Sequence, residues 1–180
     1  MRWYWFDRFT EFESGRRAVG IKNVTLAEEH VLGYAPGFPT MPSALVVEGL
    51  AQIGGLLVGE MSQFEERIVL AKVARARFHF PVRPGDRTVY TATIENNVAG
   101  GALISGTSYV EERLQAEVEF YLATLNQRTR PVQLFEPADL FRMLRILRLY
   151  EVGRDREGNP LRIPERFLEA ITADQSTVVH

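Results

Sequence analysis

The sequence contains no cysteine and only three histidines, at positions 30, 79 and 180. The lack of cysteine excludes disulfide bonds, thiolate nucleophiles and cysteine-based metal sites. With so few histidines, a histidine-rich metal site is not expected either, and we predict no metal. The formal net charge of −2 lacks the basic signature of a nucleic-acid-binding protein.

Long apolar runs are also missing from the sequence. No uninterrupted apolar stretch approaches the roughly 20 residues needed to span a bilayer. Residues 1–8 lack the apolar core and small-residue cleavage site of a signal peptide. Apolar residues nevertheless make up 46% of the 180 residues, enough to bury a sizeable core. We therefore expect a soluble, cytoplasmic protein.

The most informative segment is a proline-rich loop that leads directly into an apolar helix. Three prolines between positions 36 and 42 exclude a regular helix or central strand in the loop. A helix is predicted over 43–61, with Ser43 as its N-cap. This helix is apolar nearly all round, so most of it should be buried. It carries one carboxylate in its interior, Glu48, and because an unpaired buried charge is strongly penalised, Glu48 is the first candidate for chemistry.

The rest of the first two thirds of the chain predicts β-strands. A hairpin is expected around the turn at Ser14 and Gly15, followed by a loop over 27–42. Three or four strands are expected after the helix, over 68–80, 88–96, 102–111 and 114–122. The last strand alternates strictly between apolar and polar residues, so one of its faces should be buried. The pattern predicts an α+β domain in which an antiparallel meander wraps one buried helix.

The character of the chain changes after position 126. We divide it into a main domain over 1–126 and a C-terminal extension over 127–180, with helices predicted over 137–150 and around 164–173. The first of these helices carries a stripe of arginines, namely Arg142, Arg145 and Arg148. Such a stripe could dock on the domain itself, on an acidic partner protein or at a membrane surface. We favour the first of these.

Several motifs in the first 125 residues resemble one known family. They are Asp7-Arg8, the hairpin from Glu11 to Gly15, Ile21-Lys22-Asn23-Val24-Thr25, Pro36-Gly37-x-Pro39-x-Met41-Pro42, Glu48-Gly49-Leu50-Ala51-Gln52, Ala76-Arg77-Phe78 and Pro81-Val82-x-Pro84-Gly85-Asp86. In this order they resemble the hot-dog-fold 3-hydroxyacyl-thioester dehydratases of fatty-acid synthesis that act on acyl carrier protein substrates. The resemblance implies a hot-dog fold, an antiparallel sheet wrapped around one long central helix.

The resemblance also implies roles for particular positions. In that family a histidine in a His-x-x-Gly-x-Pro loop is the base at the α-carbon of the substrate. An acid fourteen residues later on the helix helps the hydroxyl group leave as water. The acid position is Glu48 here, but the histidine position is Tyr34. The two groups normally come from different subunits, which implies a homodimer or a higher oligomer of dimers. The substrate is carried on the phosphopantetheine of acyl carrier protein or coenzyme A, and no other cofactor is implied.

The tyrosine at the histidine position leaves more than one function open. A phenol titrates near pH 10 and is a poor acceptor of a carbon-bound proton, and losing a positioned base typically lowers the rate roughly 10²- to 10⁴-fold. The favoured activity is dehydratase-like, with Glu48 as the acid and Tyr34 in the position of the base. The alternatives are an acyl thioesterase that uses Glu48, a catalytically silent acyl-binding subunit, and a modifying enzyme of polyketide or unusual lipid synthesis.

Five further residues are candidates for substrate binding: Gly37, Phe38, Met41, Ser43 and Gln52. Gln52 lies one helical turn after Glu48 and could hold it by a hydrogen bond. The backbone N–H of Ser43, at the start of the helix, could polarise a carbonyl oxygen. The Tyr34 hydroxyl could orient the thioester carbonyl. His30 lies four residues before Tyr34, but no spacing rule places it beside Glu48.

Overall fold

The computed structural model describes residues 4–35, 37–98, 100–125 and 136–177. Within these ranges the chain forms one mixed sheet and several helices. The strands are β1 (Arg8–Glu13), β2 (Arg17–Asn23), β3 (Arg67–Phe78), β4 (Arg87–Val98), β5 (Gly101–Val110), β6 (Arg113–Leu125) and β7 (Gly153–Arg154). The helices are α1 (Glu29–Tyr34), α2 (Ser43–Glu60), α3 (Pro137–Ile146), α4 (Leu149–Val152) and α5 (Glu165–Thr177).

The sheet has seven strands in the order β3-β6-β5-β4-β2-β1-β7. All neighbouring strands are antiparallel except β1 and β7, which pair in parallel. Helix α2 packs against β2 through β6. An antiparallel sheet wrapped around one central helix is the hot-dog fold, so the predicted fold class is confirmed.

The core lies between α2 and the concave face of the sheet. Leu50, Ile53 and Leu57 of α2 are fully buried, as are Ile104 of β5 and Phe120 of β6. Among the described residues, α2 is the one helix with the length and apolar composition to cross a bilayer, and half of it is buried inside the fold. Burial to this extent is what a core helix requires.

A glycine of α2 allows the N-terminal segment to lie directly on the helix. A Cβ atom at Gly49 would lie 2.8 Å from the carbonyl oxygen of Trp5 and 2.9 Å from the ring of Tyr90. These distances are shorter than van der Waals contact, so any side chain at position 49 would push the N-terminal segment or Tyr90 away. Gly49 therefore sets the position of Trp5 above α2.

We predict that Gly49→Ala lowers the free energy of unfolding by about 1–3 kcal/mol, because overpacking a filled core is destabilising. This is expected although alanine is the better helix former by about 1 kcal/mol. Gly55→Ala on the same helix is the matched control, since a Cβ at Gly55 meets no atom within 4 Å. Urea denaturation followed by circular dichroism measures both variants, and equal stabilities would contradict the assigned role of Gly49.

The structure differs from the sequence-based expectations at three places. The predicted loop over 27–42 contains the short helix α1. The N-cap of α2 is Pro42 and not Ser43, and no side chain caps this end. The helix expected over 137–150 ends at Ile146, because Arg148 adopts a left-handed backbone with φ 58° before α4 begins. Periodicity alone cannot detect a break that a single residue's backbone produces.

The C-terminal extension packs on the main domain of its own chain. The N–H of Phe9 donates to the carbonyl of Leu147 (2.9 Å), and that of Ser14 donates to the carbonyl of Arg154 (2.9 Å). Phe167 of α5 is fully buried. The extension therefore covers the β1 edge of the sheet and leaves the β3 edge open.

Candidate active site

The segment leading to Tyr34 is anchored by a buried lysine. Lys22 on β2 is 7% exposed, and its Nζ lies 2.9 Å from a carboxylate oxygen of Glu28 and 3.6 Å from one of Asp7. The other carboxylate oxygen of Glu28 accepts the N–H of Thr25 (2.8 Å). A buried charge is tolerated when it is paired in this way. The pairing holds the start of α1 against the sheet and so sets where the helix ends at Tyr34.

Tyr34 itself projects into solvent in the single chain. It is 62% exposed, and within the described residues no hydrogen bond joins it to Glu48. Gly37, which follows in the loop, has a φ of +82°, a conformation that favours glycine. The structure of one chain therefore does not bring the two predicted catalytic positions together.

The two other loop candidates differ in their surroundings. Phe38 is 51% exposed, and the guanidinium carbon of Arg83 lies 4.8 Å from its ring centroid. Met41 is buried instead, with its N–H donating to the carbonyl of Val82 (2.9 Å) and its sulfur 3.8 Å from the Tyr90 hydroxyl. Phe38 is thus available at the surface, whereas Met41 is part of the core beneath the loop.

Glu48 is half-buried on α2 and is held by a hydrogen-bonded chain. The Gln52 side-chain N–H donates to Oε1 of Glu48 (3.0 Å), as the one-turn spacing predicts. The side-chain oxygen of Gln52 in turn accepts the backbone N–H of Trp5 (3.0 Å). Because Trp5 fixes the amide of Gln52, the amide must present its N–H₂ group to the carboxyl. Glu48 makes no ion pair with any described residue, so its second oxygen is available for chemistry.

His30 lies on the other side of Trp5. The two rings meet edge to face, with centroids 4.7 Å apart. Nε2 of His30 is buried, 3.3 Å from Glu28 but without a hydrogen bond. Burial lowers the pKa of His30, and Lys22 acts in the same direction, while Glu28 opposes them. The lowered pKa favours the neutral imidazole, and the contacts of Trp5 place that residue between His30 and Gln52.

Trp5 is the site residue that the sequence does not reveal. Its contribution to the site is a backbone N–H, which every residue except proline possesses. Trp5 and Gln52 are 47 residues apart in the sequence, and only the fold brings this N–H to Gln52. The one local hint is the close spacing of apolar aromatic residues at positions 3–6, ahead of the first strand.

Ser43 occupies the first turn of α2 and is exposed. Backbone N–H groups in the first turn of a helix have no partner within the helix, and the helix dipole makes them suitable for a carbonyl oxygen. The face of α2 that carries Glu48 and Gln52 continues to Gly55, where an added Cβ atom would meet no other atom within 4 Å.

No group of three or more histidine or acidic side chains in the described part of the chain could hold a metal ion.

Together these features define a hot-dog domain whose central helix presents the half-buried carboxyl group of Glu48, oriented by Gln52. The family model of the FabA-like domain matches residues 3–119. The chain therefore belongs to the FabA-like family, which confirms the family expected from its motifs. The C-terminal extension lies beyond the matched residues.

Similar proteins agree with this family assignment, and a solved structure agrees with the fold. The chain is 43% identical over 122 residues to the 3-hydroxyacyl-[acyl-carrier-protein] dehydratase FabZ of Desulforamulus reducens, covering 65% of this chain and 83% of the relative. It is 40% identical over 124 residues to the FabZ of Thermomicrobium roseum, covering 67% of this chain and 81% of the relative. The fold is similar to that of smu.793 from Streptococcus mutans UA159, solved bound to acetyl CoA, with a TM-score of 0.56, 13% identity and coverage of 70% and 94%.

Proposed function

We propose that the protein is a hydro-lyase that dehydrates 3-hydroxyacyl thioesters in fatty-acid or related lipid or polyketide synthesis. The observation that carries this proposal is the carboxyl of Glu48, oriented by Gln52 in a member of the FabA-like family. The acyl group would be carried on the phosphopantetheine of acyl carrier protein or coenzyme A. The reaction needs no further cofactor, and we place the protein in the cytoplasm.

Dehydration removes a proton from the α-carbon and a hydroxide from the β-carbon, leaving a double bond between them. We assign both proton transfers to Glu48: its carboxylate accepts the α-proton, and the resulting acid returns that proton to the departing hydroxyl group, which leaves as water. The Tyr34 hydroxyl donates a hydrogen bond to the thioester carbonyl oxygen, where negative charge develops. The N–H groups at the start of α2, beside Ser43, support the same oxygen.

A homodimer would complete this site. Strand β3 is the open edge of the sheet, and each of its residues from 70 to 77 is exposed. Leu70 and Val73 are apolar members of this exposed edge, at 39% and 40% exposure. A long, exposed edge strand with apolar residues is a template for pairing with another chain. Pairing across β3 would cover this edge and could bring Tyr34 of one subunit toward Glu48 of its partner.

We predict that Ala74→Pro converts the dimer into a monomer and abolishes activity. Ala74 lies at a bulge, between the residues of β3 that pair with β6, so proline there spares the pairing within the chain. Proline removes a backbone donor from this edge strand and restricts its backbone, which hinders pairing between chains. Ala74→Ser, which keeps the N–H, is the control. Light scattering after size-exclusion chromatography measures the mass of each variant in solution. If Ala74→Pro still forms a dimer, the subunits do not pair through this edge.

A thioesterase is the second candidate, because position 34 carries a phenol and Glu48 has an oxygen available to activate water. One assay separates the two reactions. Incubation with 3-hydroxyacyl and enoyl thioesters yields interconversion of the two if the protein is a dehydratase, and free thiol if it is a thioesterase. If neither product forms while acyl thioesters still bind, the protein is a silent acyl-binding subunit and the proposed activity is wrong.

A further inference from the structure

One glycine in the middle of α2 is not required by the packing of its own chain. Gly55 is partly exposed, and a Cβ atom added there would meet no other atom of the described chain within 4 Å. The neighbouring Gly54, by contrast, lies against the ring of Phe120, which an added Cβ would approach to 3.2 Å. A glycine inside a helix is less favourable than alanine by about 1 kcal/mol. The reason for a missing side chain at position 55 therefore lies outside the single chain.

Gly55 lies on the helix face that carries the candidate catalytic residues. With 3.6 residues per turn, positions 48, 52 and 55 share one face of an α-helix. All three residues are partly exposed. The seven residues from Glu48 to Gly55 correspond to roughly 10 Å along the helix axis. A chain that starts at the Glu48 carboxyl group and follows this face therefore passes over Gly55.

The same face is closed one turn after Gly55. Gly59 is buried, and an added Cβ there would lie 3.3 Å from the ring of Phe64 and 3.8 Å from the side chain of Ile68. Gly59 lies roughly 16 Å from Glu48 along the helix axis. Phe64 and Ile68 thus form an apolar end to the open stretch of this face.

Strand β3 supplies an apolar wall beside the face. It follows α2 after the turn over 61–66 and packs against the helix. Leu70 and Val73 of β3 pair with Leu122 and Phe120 of β6, which are buried in the core. Paired residues of neighbouring strands point to the same side of a sheet, so Leu70 and Val73 also point to the concave side. They are 39% and 40% exposed, so the described chain covers them only in part.

Helix and strand therefore border an apolar groove that begins at the candidate catalytic carboxyl group. From Ile53 to Gly59 every residue of α2 is aliphatic or glycine. Neither these residues nor Leu70 and Val73 carry a charge. Such a groove is complementary to an alkyl chain, which gains free energy when it leaves water. Pairing of β3 with a partner strand would use its backbone edge, and the concave side chains would still line the groove.

We propose that this groove holds the acyl chain of the substrate and that Gly55 determines the chain length that is accepted. The inference rests on the proposed function, because it takes the thioester and the β-hydroxyl group to lie at Glu48. Without a side chain at position 55, the tail runs between α2 and Leu70 toward Phe64 and Ile68. The substrates are then 3-hydroxyacyl thioesters with acyl chains long enough to pass Gly55.

The test uses the full chain with the 3-hydroxybutanoyl and 3-hydroxydodecanoyl thioesters of coenzyme A. The short acyl group ends before Gly55, and the long one passes it. Gly55→Leu places a side chain in the groove and should lower kcat/KM for the long substrate about tenfold or more, because a filled pocket rejects groups that it otherwise accepts. For the short substrate, kcat/KM should stay within a factor of about three. An equal change for both substrates, or no change, would overturn the proposal.

Binding measurements separate this proposal from the proposed reaction. The saturated dodecanoyl and butanoyl thioesters of coenzyme A carry no β-hydroxyl group, so isothermal titration calorimetry with them measures binding alone. The unsubstituted protein should bind the dodecanoyl thioester more tightly, and Gly55→Leu should weaken that binding about tenfold or more without changing the butanoyl affinity. This selectivity in a protein that does not dehydrate would support the groove and contradict the hydro-lyase. Dehydration without the selectivity would contradict the groove alone.

Controls exclude other causes of the effect. Glu169→Leu adds the same side chain at an exposed position of α5 and should leave both measurements unchanged. An equal loss in that variant would overturn the assignment to the groove. Light scattering should show the same mass for Gly55→Leu as for the unsubstituted protein. A lower mass would mean that a partner subunit, and not the acyl chain, occupies the space beside Gly55.

If Gly55→Leu does not fold, Gly55→Ala decides. Its single methyl group should shift the preference between the two substrates in the same direction but by less. An unchanged preference in Gly55→Ala would then overturn the proposal.

Discussion

Glu48→Gln is expected to reduce kcat for dehydration by about 10²- to 10⁴-fold, because the amide can neither accept the α-proton nor return a proton to the departing hydroxyl group. The substitution keeps the size of the side chain, and Gln52 can still donate to the new amide oxygen. Binding of the acyl thioester should therefore change little. Steady-state kinetics with a 3-hydroxyacyl thioester measure the effect, and KM separates loss of chemistry from loss of binding.

The matched control for this prediction is Glu29→Gln on α1. Glu29 is an exposed acid in the first turn of that helix. Its substitution should leave kcat within a factor of about two, as expected for a surface change remote from the chemistry. A Glu48→Gln enzyme that retains every activity would remove Glu48 from the mechanism and with it the proposed hydro-lyase.

Tyr34→His is expected to increase the dehydration rate by up to about 10²-fold, since it supplies a dedicated base at the α-carbon. The imidazole acts as a base only when neutral. The rate should therefore rise as the pH increases through about 6.5, the ordinary pKa of a histidine. This ascending limb should be absent from the unsubstituted protein. Measurement of kcat/KM from pH 5 to 8.5 in both proteins tests the prediction.

Tyr34→Phe is the companion variant. If the hydroxyl of Tyr34 donates a hydrogen bond to the thioester carbonyl, its removal should lower kcat by about 10-fold or more. In well-studied enzymes the loss of one oxyanion donor lowers kcat by about 10²- to 10³-fold. An unchanged rate in Tyr34→Phe would remove the hydroxyl from the mechanism. If Tyr34→His also changes neither the rate nor the pH profile, position 34 does not face the reacting carbon.

The two positions are tested jointly by mixing subunits. When the impaired Glu48→Gln and Tyr34→Phe chains are refolded together, about half of the dimers should be mixed. One of the two sites in each mixed dimer would then contain both native residues, if the site is shared between subunits. Recovery of about a quarter of the native activity is expected for a shared site. No recovery would place both residues of a site on the same chain.

The sequence predicted the central elements of the fold well because their signals are local. Helix α2 begins at the predicted Ser43 and ends one residue before the predicted Met61. The alternation along β6 matches its burial, with Val118, Phe120 and Leu122 buried. In each case an apolar period of a helix or a strand is repeated long enough to identify the element and its buried face.

The prediction of Gln52 beside Glu48 succeeded for the same reason, since a spacing of four residues on a helix brings two side chains together. The helix α1 was missed because it is only six residues long and lies in a segment punctuated by glycine and proline. The early end of α3 was missed because it depends on the left-handed backbone of Arg148. Both features depend on contacts with the rest of the domain more than on local pattern.

What the sequence determined by itself is the family, the buried helix, the strands around it and the acid on its surface, because periodic burial and short motifs are properties of neighbouring residues. Only the tertiary structure decided how the acid is held and where the extension packs. The backbone of Trp5 reaches Gln52 across 47 residues, and the backbone N–H groups of Phe9 and Ser14 meet the carbonyls of Leu147 and Arg154 in the extension. Such contacts arise when distant segments pack together, and no local pattern encodes which atoms then meet.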